Sequence, residues 1–273
     1  MAKKHIFTDT EKIQIVSDYY ERNLSSKKIA EKHNVSLWTI LRFLKKNGYE
    51  IKNVSDSHKK YTINENYFNN INSEGKAYYL GLLFADGYNN TEKFDVSITL
   101  IPEDIDILIS LNKELETNKP LRKDRKYIKL SIENKKISKT LNNLGCMKSK
   151  THKIRFPNIP NEYVRHFIRG YFDGDGCITW SKNKLIPQFS IVGNEPFLIE
   201  LQKELINNLG LKKTKFIKRH KNRKNNITSL IYGSYGNCIK IYEYLYEDSK
   251  FYLKRKKNKF IEIFNILNIN YES

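Results

Sequence analysis

Two aspartates end apolar runs in this chain. Asp86 closes "YLGLLFAD" and Asp175 closes "IRGYFDGD", and a glycine follows each. Taken singly, Asp-Gly after an apolar run is a helix terminator that leads into a turn. Taken as a pair at matched places of a repeated sequence, the two carboxylates are candidate ligands for a cation. Both runs read as helices, and Gly81 with Ala85, like Gly170 with Gly174, sets small residues four apart. Such a stripe lets a second helix approach closely, so packing the two helices side by side brings Asp86 and Asp175 together. The carboxylates then repel one another at the unfavourable ends of two helix dipoles. A divalent cation offsets that cost. Oxygen ligands without a matching histidine cluster, beside a phosphate-bearing partner, point to Mg²⁺, with Mn²⁺ able to substitute.

The elements that must position these acids recur as well. "NKEL" at 112–115 and "QKEL" at 202–205 keep nearly the offset of the aspartates, and "MKSKTHKI" at 147–154 echoes "LKRKKNKF" at 253–260. Each unit reads as an apolar helix, a hairpin, a helix, a second hairpin and a closing helix. The first unit places strands near 94–100 and 127–132, with helices over about 104–115 and from Ile137 onward. The second places strands near 188–192, 214–219 and 228–232, with helices around 196–209 and 238–246. The predicted architecture is α+β, αββαββα twice, with units at 73–155 and 156–273.

Residues 1–50 predict a separate all-α domain, joined by a polar linker over 51–72. A first helix from about Thr10 to Asn23, capped at Thr8 or Asp9, turns Ile13, Val16, Tyr19 and Tyr20 inward. A second starts at Ser25 or Ser26 and buries Ile29 and Ala30. A turn at Asn34 and an N-cap at Ser36 open a third, with Ile40, Phe43 and Leu44 inward. The arrangement resembles a helix-turn-helix, which implies that Leu37, Trp38, Thr39, Arg42 and Lys45 face a major groove. A small bundle used for protein contacts fits the same pattern.

Charge narrows the partner. In 273 residues, 49 Lys and Arg stand against 30 Asp and Glu, a formal charge of +19, which favours a polyanion. No run approaches the roughly 20 apolar residues of a membrane span, and the opening residues lack a signal-peptide core. The expected setting is intracellular, cytoplasmic or nucleoid-associated, where Cys146, Cys177 and Cys238 stay reduced. The stretches 121–130 and 215–226 alternate basic and apolar residues, which aims Arg122, Arg125, Lys129, Lys218, Lys221 and Arg223 outward. Solvated faces are the ordinary meaning of such charge. On matching elements of two units they suit phosphate contacts, with Gln188 and Asn222 left to read bases.

The paired runs "YLGLLFADGY" and "IRGYFDGDGC" resemble the motifs of LAGLIDADG homing endonucleases in their single-chain, two-motif form, over roughly residues 73–265. The resemblance implies two sheets forming a saddle on double-stranded DNA with a long target site, a monomer, and double-strand cutting of the kind used in intron homing. It assigns metal binding and catalysis to Asp86 and Asp175. It gives a solvent-organising role to Lys256 and, through the repeat, to Lys150, and a supporting polar role to Asn194 and Asp104. One departure stands out: Phe84 occupies the place where the second motif has Asp173. A non-cleaving transcription regulator and an RNA-splicing maturase share the fold and the basic charge.

Overall fold

A computed structural model describes residues 6–22, 24–51, 61–148, 154–181, 183–218 and 227–269. The chain divides into two compact units, residues 1–62 and 63–273. Among the described residues no helix is long and apolar enough to cross a membrane.

The smaller unit has three helices, α1 (Asp9–Tyr20), α2 (Ser26–Lys32) and α3 (Leu37–Lys46). Each begins where a hydroxyl satisfies a free backbone N–H: Thr8 in a reciprocal capping box with Glu11, Ser25 onto Lys28, and Ser36 onto Thr39. Ile15, Tyr19, Ile29, Ala30, Ile40 and Leu44 close its core with Phe7. Ile13, expected inward, is 72% exposed. The stripe of α1 runs through Ile15, Asp18 and Tyr19 instead, because Asp18 turns inward to take Lys32 at 2.6 Å and Arg22 at 3.1 Å. A charged residue at a core position is what displaced the apolar phase.

The larger unit starts earlier than the polar composition of 51–72 suggests. Tyr67, Phe68 and Ile71 are buried in its core, so residues 63–72 belong to the packed body and not to a linker. Its order is α4 (Glu74–Asp86), β1 (Gly87–Asn90), β2 (Asp95–Leu100), a 3₁₀ turn (Pro102–Asp104), α5 (Ile105–Glu114), β3 (Arg122–Asp124), β4 (Tyr127–Glu133) and α6 (Lys135–Asn143). The series then repeats as α7 (Asn161–Asp175), β5 (Gly176–Ser181), β6 (Ile186–Asn194), α8 (Glu195–Leu209), β7 (Ile217–Lys218), β8 (Ile227–Gly233) and α9 (Tyr235–Tyr246), followed by α10 (Lys254–Ile266). The two antiparallel sheets have the orders β1-β2-β4-β3 and β5-β6-β8-β7.

One face of each sheet packs on helices. Val96, Ile98, Leu130 and Ile132 form that face in the first sheet, and Ile178, Phe189, Ile191, Leu230 and Tyr232 in the second. Both join one continuous core with α4 and α7 between them. Of the strand expected over 214–219, Ile217–Lys218 pair with β8 and residue 219 lies outside the described residues, while the Thr214 carbonyl accepts from the Gln202 side-chain amide at 3.1 Å.

Candidate functional site

The glycine stripes do what their spacing predicts. A Cβ at Gly81 would land on the carbonyl oxygen of Phe167, and one at Gly170 on that of Tyr78, so the α4 and α7 backbones touch where any side chain would hold them apart. Near the helix ends, the same contact brings Gly174 against Ala85 and Asp86. A Cβ at Gly174 would stand 3.0 Å from Oδ2 of Asp86, and the next residue is Asp175. Both aspartates are the last residues of their helices, both are exposed, and both lead directly into the first strand of a sheet.

Two groups near the acids report on their field. Tyr171, buried in α7 with its ring 4.4 Å from that of Phe197, donates its hydroxyl to the Val192 carbonyl at 3.0 Å. Burial first, then the charge and hydrogen-bonding of Asp175 and the charge of Asp86, hold its phenol far above the usual range. Lys256, in the first turn of α10, donates to the Gly176 carbonyl beside Asp175 and lies 5.5 Å from the centroid of the Phe172 ring. Burial and Arg255 draw its ammonium down, while Asp173, Cys177 and Asp86 act in the opposite direction. The structure therefore brings Asp86, Asp175 and Lys256 to one locality.

Other anticipated residues are engaged elsewhere. Asn194 is buried as the N-cap of α8, accepting from Phe197 N–H at 3.0 Å and donating to the Ile154 carbonyl at 3.0 Å. Asp104 is buried and takes Arg255 at 2.7 Å, so it braces the neighbour of Lys256. Lys150, Lys221, Asn222 and Arg223 lie outside the described residues.

Sequence patterns missed a buried polar cluster behind the acids. The Asp173 carboxylate is fully buried and accepts from the hydroxyls of Tyr78 and Tyr246, each at 2.8 Å, and from Leu253 N–H at 2.7 Å. Desolvation raises it to about 6 in spite of those bonds. One turn earlier, Arg169 is fully buried, pairing with Glu74 at 2.7 Å and donating to the carbonyls of Phe251 and Leu245 and to Nδ1 of His166. The only sequence signal for this cluster was the Phe84/Asp173 mismatch between the two motifs.

The strand register sorts the basic residues. Arg122 and Lys129 are cross-strand partners, and Lys129 also faces Thr99, on the face opposite the buried Leu130 and Ile128 side. Arg125 sits at the tip of the β3–β4 turn with φ of 56°. Gln188 pairs with Thr179 on the corresponding outer face of the second sheet. Lys218 does not join it. Its partner is the buried Thr228, so Lys218 points to the helix side and lines a groove with Gln202 and Phe216, while Ile217 takes the outer face. A basic alternation fixes spacing but not which parity faces the core. In the smaller unit, Trp38, Arg42 and Lys45 form an exposed stripe on α3, Trp38 at 71%, and the Thr39 hydroxyl is within 2.9 Å of Ser36 Oγ.

Comparison with solved structures finds the meganuclease I-SmaMI bound to uncleaveable DNA, at 14% identity and a TM-score of 0.49 over 72% of this chain and 91% of that one. The I-LtrWI LAGLIDADG homing endonuclease bound to target DNA matches at 12% identity and 0.49, over 75% and 91%. I-SmaMI bound to uncleaved DNA in the presence of calcium ions matches at 14% and 0.47, over 71% and 90%. Residues 162–244, from the start of α7 into α9, match the LAGLIDADG-like domain family, and the first half of the larger unit repeats the helix and strand order of that stretch.

Proposed function

We propose that this protein is a site-specific endonuclease that hydrolyses one phosphodiester in each strand of a DNA duplex. The observation that carries the reading is the meeting of two exposed carboxylates, Asp86 and Asp175, at the abutting ends of α4 and α7, each at the root of its own sheet. The donor chemistry at that point is all oxygen: two carboxylates and the main-chain carbonyls of the helix ends. That set fits a hard divalent cation such as Mg²⁺, which keeps several waters and needs few protein ligands. When bound, such an ion supplies a Lewis acid and a water of lowered pKa. Asp86 and Asp175 are the residues that would hold it. Lys256 places a desolvated ammonium at the Gly176 carbonyl, where it orients solvent, and Lys150 is its counterpart by sequence repeat. The outer sheet faces and the charge of +19 supply the phosphate and base contacts, and α3 lengthens the recognised site through Trp38, Arg42 and Lys45.

The test is plasmid cleavage and gel shift on the same samples. Asp175→Asn and Asp86→Asn keep side-chain size but remove the charge a cation needs, so double-strand cleavage should fall by roughly a thousandfold or more, with residual nicking of one strand. Affinity should hold or rise, because each acid faces phosphate. Undiminished cleavage by either variant would sink the two-acid mechanism. A wild type that binds a specific site and never cuts with Mg²⁺ or Mn²⁺ would be a regulator.

A further inference from the structure

The outer faces of the two sheets differ in chemistry. On the first, Arg122 and Lys129 stand directly opposite each other, with Thr99 beyond Lys129. Like charges across a ladder destabilise it, and a partner rich in acceptors removes that cost. Asp95, Asp124 and Glu133 share this face, Asp95 accepting from the Ser131 hydroxyl at 2.6 Å, Glu133 pairing with Lys119 at 3.6 Å, and each acid able to accept from the N4 amine of a cytosine. On the second sheet the register brings Thr179, Gln188, Ser190, Val192, Ile217 and Ile231 to the outer side. Among the described residues, no Asp, Glu, Lys or Arg of β5 to β8 lies on that side.

Base edges in a major groove distinguish these surfaces. Arginine and lysine match O6 and N7 of guanine, glutamine matches N6 and N7 of adenine, and aliphatic groups match the thymine methyl. Among the described residues, that face of one amide, small hydroxyls and branched aliphatics offers guanine no cation and thymine several methyl contacts.

We propose, resting on the DNA-cleaving reading above, that the target is compositionally polarised, with G·C pairs read by Arg122 and Lys129 beneath the first sheet and A·T pairs read by Gln188 with Ile231 and Val192 beneath the second. Gln188 is the specificity-determining residue of the A·T half.

Selection of bound duplexes from a randomised library, using the full chain, tests this. The enriched site should be G·C-rich at one end and A·T-rich at the other. Gln188→Ala should cost roughly tenfold in discrimination at an adenine of the A·T half alone, and Gln188→Glu should move that preference toward cytosine, whose N4 amine a carboxylate accepts. Arg122→Ala combined with Lys129→Ala should relax guanines at the other end. An enriched site without the gradient, or loss of discrimination at a G·C pair on changing Gln188, overturns the polarity and leaves the nuclease reading standing. A library with no enriched sequence overturns both.

Discussion

The two motif helices agree at their outward ends and disagree two residues inside. At Phe84, α4 presents a ring to Phe167 at 5.2 Å between centroids, with the ring edge 3.2 Å from the place a Cβ would take on Gly145. At Asp173, the equivalent place on α7, a buried carboxylate gathers two tyrosine hydroxyls and the N–H that begins α10. The acids that meet solvent match, while their supports have diverged into an aromatic contact on one side and a polar clasp on the other. The clasp explains how Lys256 is placed: Leu253 is the N-cap of α10, its N–H is fixed by Asp173, and Lys256 lies three residues on.

The largest effect should come from removing what the two helices share. Gly81→Leu or Gly170→Leu drives a side chain into a facing backbone carbonyl, and neither variant should give a cooperatively folded larger unit, whereas Gly236→Ala, with open space around it, should melt within a degree or two of wild type. Circular dichroism melts check this, and a stable Gly170→Leu would refute the close contact. Exchanging the supports comes next. Phe84→Asp buries an unpartnered carboxylate and Asp173→Phe leaves two hydroxyls and an N–H without their acceptor, so each should cost roughly 3–5 kcal/mol in denaturant unfolding, and Asp173→Asn less. A Phe84→Asp variant as stable as wild type would show that the two interiors are interchangeable.

The smallest effect is a pair of opposing pH dependences within the buried polar cluster of α7. Asp173 is raised from 3.8 to about 6 by burial, opposed by Leu253, Tyr246, Tyr78 and Arg169, so it takes up a proton more readily folded than unfolded. Its contribution grows as pH falls through about 6 and is lost as pH rises again. His166 is depressed from 6.5 to about 4 by burial and by Arg169 and Arg165, against Glu74, so its contribution is present above 6.5 and lost as pH falls toward 4. At about 1.4 kcal/mol per unit, each amounts to roughly 3 kcal/mol of opposite sign over nearly the same window. Urea midpoints of wild type should carry little slope from this pair between pH 7 and 4. Asp173→Asn should lose stability on acidification relative to wild type, and His166→Gln should gain it. Identical slopes in all three proteins would refute the assignment.

Much of this was readable from residue order. Helix-ending acids, small residues four apart and the repeat of "NKEL" in "QKEL" fix the αββαββα order and the meeting of Asp86 with Asp175, because backbone approach and side-chain period are local rules. The rest depended on parity and partners. Lys218 stands beside the outward residues in sequence, yet its ladder partner Thr228 turns it to the helices. Arg169 carries a charge that composition would put at the surface and is buried, since the groups that satisfy it come from Glu74, Leu245 and Phe251, far away in the chain. Residues 63–72 look like a tether until the aromatic rings of Tyr67 and Phe68 find the core.

Glu74 takes the N–H of Lys250 at 2.7 Å across 176 positions of sequence. At synthesis rates of roughly 5–20 residues per second, α4 leaves the ribosome roughly 10–35 s before that partner exists. Almost every residue from Gly75 to Phe84 is buried in the finished protein, and α7, which covers this helix, follows roughly 5–18 s behind it, so for that shorter interval an apolar helix waits without its cover. Translation speed between the two motifs, and the chaperones present while it proceeds, therefore set how much of this protein reaches its native state.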